Sequence, residues 1–138
     1  MNEAHWIRLS QARAANAQFL LNAGRWPAAY YLAGYAVECR LKACIVQRVR
    51  NDPGIVFDKS RPINQIWTHD ISVLSNQAGL SKKISDETNS RVVSNWLLVK
   101  EWKETSRYDF PSDAEATDLV LAITEPIQGV LAWIDQNA

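Results

Sequence analysis

Glycine, cysteine and histidine are scarce in this sequence, which has five, two and two of them among 138 residues. The glycines are not grouped, so the chain lacks the glycine-rich turns that bind phosphates and the Gly-x-Ser-x-Gly turn of hydrolases. Cys39 and Cys44 lie within one apolar segment. On a helix they would point about 140° apart, so they can neither pair nor share a metal, and they are predicted to be buried. No His, Cys and carboxylate group has the spacing of metal ligands, so no metal and no cofactor is expected.

Long apolar runs are also absent, because charged residues interrupt each one before the roughly 20 residues that a bilayer crossing needs. The first residues lack the order of charge and hydrophobicity of a signal peptide, so we expect a cytoplasmic protein with no membrane contact. The net charge is zero, which disfavours a general nucleic-acid coat. Residues 1–100 hold 13 Lys and Arg against 7 Asp and Glu, a net of +6, and residues 101–138 hold 2 against 8, a net of −6. This polarity is either solvated surface or a feature that orients a partner.

Apolar residues recur with a helical period almost everywhere, and no segment alternates like a strand. We predict an all-α fold, an antiparallel up-and-down bundle of four to five helices with one long loop between helices 2 and 3. Residues 51–67 form that loop, and its use as a lid, its contact with a partner and its disorder are open alternatives. The first two predicted helices are 3–23 and 27–50, and the third is 68–78, with Thr68 as its cap and Gly79 as its stop. The fourth runs from Ser85 to the segment ETSRYDFP. The fifth begins at a capping box of Ser112 and Glu115 and is expected to bend at Pro126 without ending there.

The segment AAYYLAGYAVECRLKACIVQRV, residues 28–49, is apolar around most of a helical circumference, which predicts a helix at the centre of the fold. One polar edge holds Tyr31, Tyr35, Glu38 and Lys42. As an exposed pair, Glu38 and Lys42 would contribute only about 0.2 to 0.5 kcal/mol to stability. Two interpretations stay open: a solvated ion pair, or a partly buried polar cluster that contacts a second helix, a subunit or a ligand.

Three segments, AAYYLAGYAVECRLKACIV, THDISVLSNQAGL and SRYDFP, follow one another in an order that resembles the HEPN domain family (higher eukaryotes and prokaryotes nucleotide-binding). The first resembles the family's Ala/Tyr-rich helix with Ala-Val-Glu and Leu-Lys, the second its Thr-His-Asp-Leu helix start, and the third its Arg-Tyr segment before the last helix. The resemblance covers nearly the whole chain and implies a single HEPN-like helical domain, residues 1–138, that usually dimerises. It also implies one of two functions: a metal-independent ribonuclease, often a toxin, with an Arg-x4-6-His motif, or a protein that acts beside a minimal nucleotidyltransferase.

The histidines depart from the ribonuclease pattern of that family. Only His5 and His69 are present, and no arginine precedes His5. Arg61 is the nearest arginine before His69, and seven residues separate the two, which is outside the four to six of the motif. That chemistry needs an imidazole for proton transfer and a guanidinium for the phosphate. We therefore expect no catalytic residue of this class, and we predict a capping or packing role for His69 at a helix start.

Two further patterns indicate where a ligand could bind. The segment NWLLVKEWKETSRY mixes aromatic residues with Lys100, Lys103 and Arg107, which is typical either of core packing or of a surface that stacks on a nucleotide. Cations are in excess between residues 40 and 61, and this excess is compatible with weak, salt-sensitive binding of a phosphate. Six tryptophans and the apolar second helix predict a dimer.

The leading hypothesis is a non-catalytic HEPN-type helical binding module. It would be a homodimer that acts with a minimal nucleotidyltransferase-type partner, in a toxin–antitoxin-like pair, and that binds nucleotide or RNA. The alternatives are a divergent HEPN ribonuclease toxin with a site around Arg107, Tyr108 and Glu38, and a helical scaffold without a ligand. The predicted ligand-binding or partner-binding residues are Tyr31, Tyr35, Glu38, Lys42, Arg107 and Tyr108.

Overall fold

The computed structural model describes residues 1–60, 63 and 65–138. Within these residues the chain is all-helical, as predicted, and forms no strand. The α-helices are α1 (Glu3–Asn22), α2 (Trp26–Asn51), α3 (Ile71–Gln77), α4 (Ser81–Ser85), α5 (Ser90–Lys100), α6 (Asp113–Thr124) and α7 (Val130–Asn137), and two 3-10 helices span Pro53–Phe57 and Glu104–Tyr108.

The second helix lies at the centre of the fold, as its apolar circumference predicts. It packs against α1, α3, α6, α7 and both 3-10 helices. Small side chains allow this close packing, since Ala33 and Ala36 are fully buried and Ser10 of α1 donates a hydrogen bond of 2.7 Å to the Ala36 carbonyl. Both cysteines are buried and free, as predicted.

Several helix ends follow the predicted signals. Asn2 caps α1, and Gly24 has a positive φ of 75° just after that helix. The capping box of Ser112 and Glu115 starts α6. Gly79, with a φ of 78°, follows α3 and stops it as predicted.

The predicted start of the third helix is wrong, because Asp70 and not Thr68 caps it. The Asp70 carboxylate accepts the Val73 amide at 3.1 Å, while the Thr68 hydroxyl accepts the Asp70 amide. The predicted helix from Ser85 is also wrong. Residues 81–85 form α4, and the side chain of Asn89 starts α5 by accepting the Arg91 and Val92 amides.

The last predicted helix is two helices, since the chain ends α6 at Thr124 and begins α7 at Val130. Glu125 precedes Pro126 and has a ψ of 128°, because a following proline disfavours helical geometry. The Glu125 carboxylate then accepts the amides of Ile127 and Gln128, which fixes the turn. Val130 and Ile134 are buried on the far side of the break, so the apolar stripe continues although the helix does not.

The long connection after α2 is partly packed. It contains the first 3-10 helix, whose Ile55 is buried, and Ile63 packs against the core. Arg61 and Pro62, which were part of the predicted loop, lie outside the described residues. Within the described part of the chain, each helix is too short or too polar to cross a membrane.

Candidate functional site

Glu38 is fully buried near the middle of α2, with 0% of its surface exposed. Its Oε1 lies 2.8 Å from the Lys42 Nζ and 2.8 Å from the His69 Nδ1. An ionised carboxylate only accepts hydrogen bonds, so both nitrogens donate to the same oxygen. Oε2 is buried and has no hydrogen-bond partner among the described residues. The interpretation of Glu38 and Lys42 as a buried polar cluster is therefore confirmed, and that of a solvated pair is wrong.

His69 completes this cluster, although sequence reasoning gave it only a capping or packing role at a helix start. It precedes the Asp70 cap of α3, and the start of α3 lies against α2, which brings the ring to Glu38 across 31 positions of sequence. With Nδ1 bonded to the carboxylate, Nε2 points away from Glu38. The side chain is 40% exposed, so part of the ring reaches solvent.

Lys42 is held from two sides. Besides its bond to Glu38, its Nζ lies 5.3 Å from the centroid of the Trp6 ring on α1. Only 14% of its side chain is exposed. Lys42 therefore compensates the charge of the buried carboxylate.

Three aromatic rings extend the site along α2. Trp102, which follows α5, lies 6.1 Å from Tyr31 and 6.4 Å from Tyr35 between ring centroids. Its indole lies directly on Gly34, where an added Cβ would be only 2.2 Å from ring atoms. Glycine at this position is what lets the Trp102 ring reach the helix backbone. Burial, and then the charge of Glu38, raise the pKa of Tyr35.

Arg107 and Tyr108 form a separate group. The guanidinium lies 4.9 Å from the centre of the Tyr108 ring and 3.2 Å from the Glu104 carboxylate. Interactions with Tyr108, and to a lesser extent with Glu104 and Tyr31, raise the pKa of Arg107. Among the described residues, Glu38 pairs with Lys42 and His69 and not with Arg107, so the six predicted site residues divide into two groups that meet at Tyr31.

The cations between residues 40 and 61 have partners within the protein. Arg40 pairs with Asp135 at 2.9 Å, Arg50 pairs with Glu3 at 2.5 Å, and Arg48 donates to the Gln77 carbonyl at 2.9 Å. The prediction that this segment holds a phosphate is therefore not supported by its described arginines. Arg61, which was counted in it, lies outside the described residues.

The surroundings of Cys39, the residue next to Glu38, make its thiol unreactive. Burial, and then the Glu38 charge, raise the pKa of the Cys39 thiol to about 11. A thiol acts as a nucleophile only when it is deprotonated, so Cys39 is suited to packing and not to catalysis.

A hollow of about 310 Å³ lies beside His69, between the start of α3 and the segment that follows α5. His69, Lys100, Trp102 and Lys103 line it together with hydroxyl and acidic side chains. Trp102 and His69 were absent from the predicted site. In the sequence, the aspartate next to His69 marks the start of α3, and the apolar residues before Trp102 mark α5. Neither pattern indicates that these two parts of the chain meet.

No group of three or more His, Cys, Asp and Glu side chains in the described ranges could hold a metal ion. In comparisons with known proteins, no family model, no curated protein and no solved structure matches the chain.

Proposed function

We propose that this protein is a non-catalytic helical binding module of the HEPN type, which forms a homodimer, binds a nucleotide and acts beside a minimal nucleotidyltransferase or a similar partner. The family part of this proposal depends on the resemblance of the three sequence segments. The nucleotide-binding part depends on the arrangement around Glu38.

The observation that supports binding is the buried carboxylate with its two nitrogen partners. A buried ion pair is a weak source of stability, because desolvation offsets most of the attraction between the charges. The buried carboxylate instead holds His69 in one orientation through Nδ1, and His69 in turn lines the hollow. Lys100 and Lys103 line the same hollow and would attract an anionic ligand.

Calorimetry with adenosine monophosphate (AMP) tests the binding. We expect saturable binding of one AMP per chain, and chromatography of the recovered nucleotide should show AMP only. Absence of saturable binding of AMP at millimolar concentration would contradict the proposal, and a changed nucleotide would contradict its non-catalytic part.

A second candidate function, an RNA-cleaving enzyme, is favoured by one observation. The pairing of the Glu38 carboxylate with His69 Nδ1 at 2.8 Å leaves Nε2 unbonded to Glu38, as a histidine general base oriented by a carboxylate would be. This candidate differs from the divergent site predicted around Arg107, because Arg107 is bound to Glu104 and Tyr108.

Incubation with structured and single-stranded RNA, with and without magnesium, distinguishes the two functions. We expect intact RNA from the wild type. Cleavage that the His69→Ala variant loses and the Arg107→Ala variant keeps would establish the second candidate. Cleavage that only Arg107→Ala loses would instead support the site predicted from sequence.

A further inference from the structure

We propose that the phosphate group of a mononucleotide binds in the hollow beside His69, between the ammonium groups of Lys100 and Lys103. This inference rests on the proposed nucleotide binding and assigns it a site. It places the phosphate away from the basic segment after residue 40 and away from Arg107.

Two lysines and two acidic residues line the hollow, so its attraction for an anion depends on which of these charges have partners. Within the described part of the chain, neither Lys100 nor Lys103 has a carboxylate at ion-pair distance, whereas the two acidic residues of the lining are engaged. Asp70 accepts the Val73 amide as the cap of α3, and Glu104 pairs with Arg107 at 3.2 Å. Two cations without counter-ions therefore face a space whose acidic groups have other partners.

The remaining lining groups are suited to phosphate oxygens. The hydroxyls of Thr68, Ser72 and Thr105 line the hollow and can each donate a hydrogen bond. Trp102 also lines it, is 2% exposed, and has a buried Nε1 without an acceptor among the described residues. An indole N–H can only donate, so an unpaired one is costly, and a phosphate oxygen that came within hydrogen-bond distance would accept from it.

The size of the space sets the class of ligand. The hollow is about 310 Å³, near the lower end of the range for small-molecule sites, so it admits a phosphate with a sugar more readily than a folded polynucleotide. Ser72 and Lys100 also line a neighbouring hollow of about 250 Å³. The nucleoside part has room to extend past Lys100 into this second space.

The test is a titration of nitrogen-15-labelled protein with AMP, adenosine and inorganic phosphate, followed by the indole N–H signals in NMR spectra. Trp102→Phe assigns the Trp102 signal. We expect AMP and phosphate, but not adenosine alone, to shift that signal. Lys100→Gln with Lys103→Gln should weaken AMP binding by tenfold or more, because both charge-assisted hydrogen bonds to the phosphate are lost.

The matched control removes the same charge elsewhere, with Lys59→Gln and Lys82→Gln, and should change the AMP affinity less than about twofold. AMP binding by the wild type that both double variants keep, or that both lose equally, would overturn the site while the proposed nucleotide binding stands. Binding of adenosine as tight as that of AMP would also overturn it. A wild type that binds an oligoribonucleotide and no mononucleotide would overturn both the site and the proposed function.

Discussion

At the scale of single residues, removing Lys42 and removing Glu38 should have different effects on stability, because the partners that remain differ in exposure. Glu38 has no exposed surface, whereas Lys42 and His69 are 14% and 40% exposed in their side chains. We therefore expect Lys42→Met, which removes the ammonium and leaves the buried carboxylate with His69 alone, to lower the free energy of unfolding by up to about 3 to 5 kcal/mol. Glu38→Gln should cost less, because Lys42 and His69 can turn toward water. Urea denaturation measures both.

A double-mutant cycle provides the control for this asymmetry. Combining Glu38→Gln with Lys42→Met should recover part of the stability that Lys42→Met alone loses, and Glu38 should also couple to His69. Arg107 should show no coupling to Glu38. Equal small losses in both single variants would contradict a buried pair.

Cys39 permits a prediction about pH. Because its pKa is raised from 9.0 to about 11, the folded state holds this proton more tightly than the unfolded state. The stabilisation is present below pH 9 and is lost as the pH rises toward 11, so the free energy of unfolding should fall across that range. Cys39→Ser should flatten this fall.

The same shift predicts slow alkylation. At about pH 8 the folded protein should react with iodoacetamide far more slowly than the urea-unfolded protein, because the thiolate is scarce and the thiol is buried. Rapid labelling of Cys39 in the folded state, located by mass spectrometry, would contradict the buried environment.

At the scale of elements, the contact between α2 and the Trp102 segment depends on Gly34. Alanine usually favours a helix by about 1 kcal/mol over glycine. Here its Cβ would be 2.2 Å from the indole, so the ring must move. We expect Gly34→Ala to destabilise the protein by about 1 to 3 kcal/mol and to change its tryptophan fluorescence. Gly54→Ala, whose Cβ meets only one atom at 3.8 Å, is the matched control and should be nearly neutral. A more stable Gly34→Ala would show that Trp102 does not lie on the helix.

Glu87 joins the start of α5 to α7. Its Oε1 accepts the amides of Thr88 and Asn89, and its Oε2 accepts the Trp133 indole N–H at 2.8 Å. The bond from Asn89, and then that from Trp133, lower the pKa of this carboxyl. Its stabilisation is therefore present above the unfolded pKa and is lost as the pH falls through the folded one.

Glu87→Gln tests this contribution, because it keeps an acceptor for Trp133 and removes the titration. Thermal melts between about pH 5 and pH 3 should show a smaller loss of Tm in the variant than in the wild type. Identical pH profiles would mean that Glu87 is not bonded to Trp133 in solution.

The elements also show how far the sequence could predict the fold. Local signals were sufficient at the Ser112 capping box and at Gly79. The start of α5 was mispredicted although its signal is local, because the Asn89 side chain caps the helix and Ser85 does not. The bond from Trp133 to Glu87, which joins this region to α7, has no local pattern in the sequence.

The contacts of the candidate site also divide into local ones, which the sequence predicts, and distant ones, which it does not. The pairing of Glu38 with Lys42 follows from their spacing on one helix. His69 reaches Glu38 through the packing of α3 on α2, and Trp102 reaches Gly34 through the chain that follows α5. These contacts depend on how helices meet, which periodicity does not specify.

At the scale of the whole molecule, the number of tryptophans and the apolar second helix no longer support the predicted dimer. The structure buries Trp96, Trp102 and Trp133 within the single chain and surrounds α2 with its own helices. Large apolar side chains nevertheless lie at the surface, and Trp67 is 87% exposed. The exposed ones that we expect a second copy to cover in part are Phe19, Phe57, Trp67, Leu97, Phe110, Leu121 and Ile127.

Native mass spectrometry of the protein with AMP tests the central claim most directly, because one spectrum reports the number of chains, the number of bound nucleotides and the mass of each. The account predicts a dimer that carries up to two AMP molecules of unchanged mass. With Lys100→Gln and Lys103→Gln, the dimer should persist while less AMP is bound. A monomer without bound nucleotide, or a complex whose added mass is that of an altered nucleotide, would contradict the account.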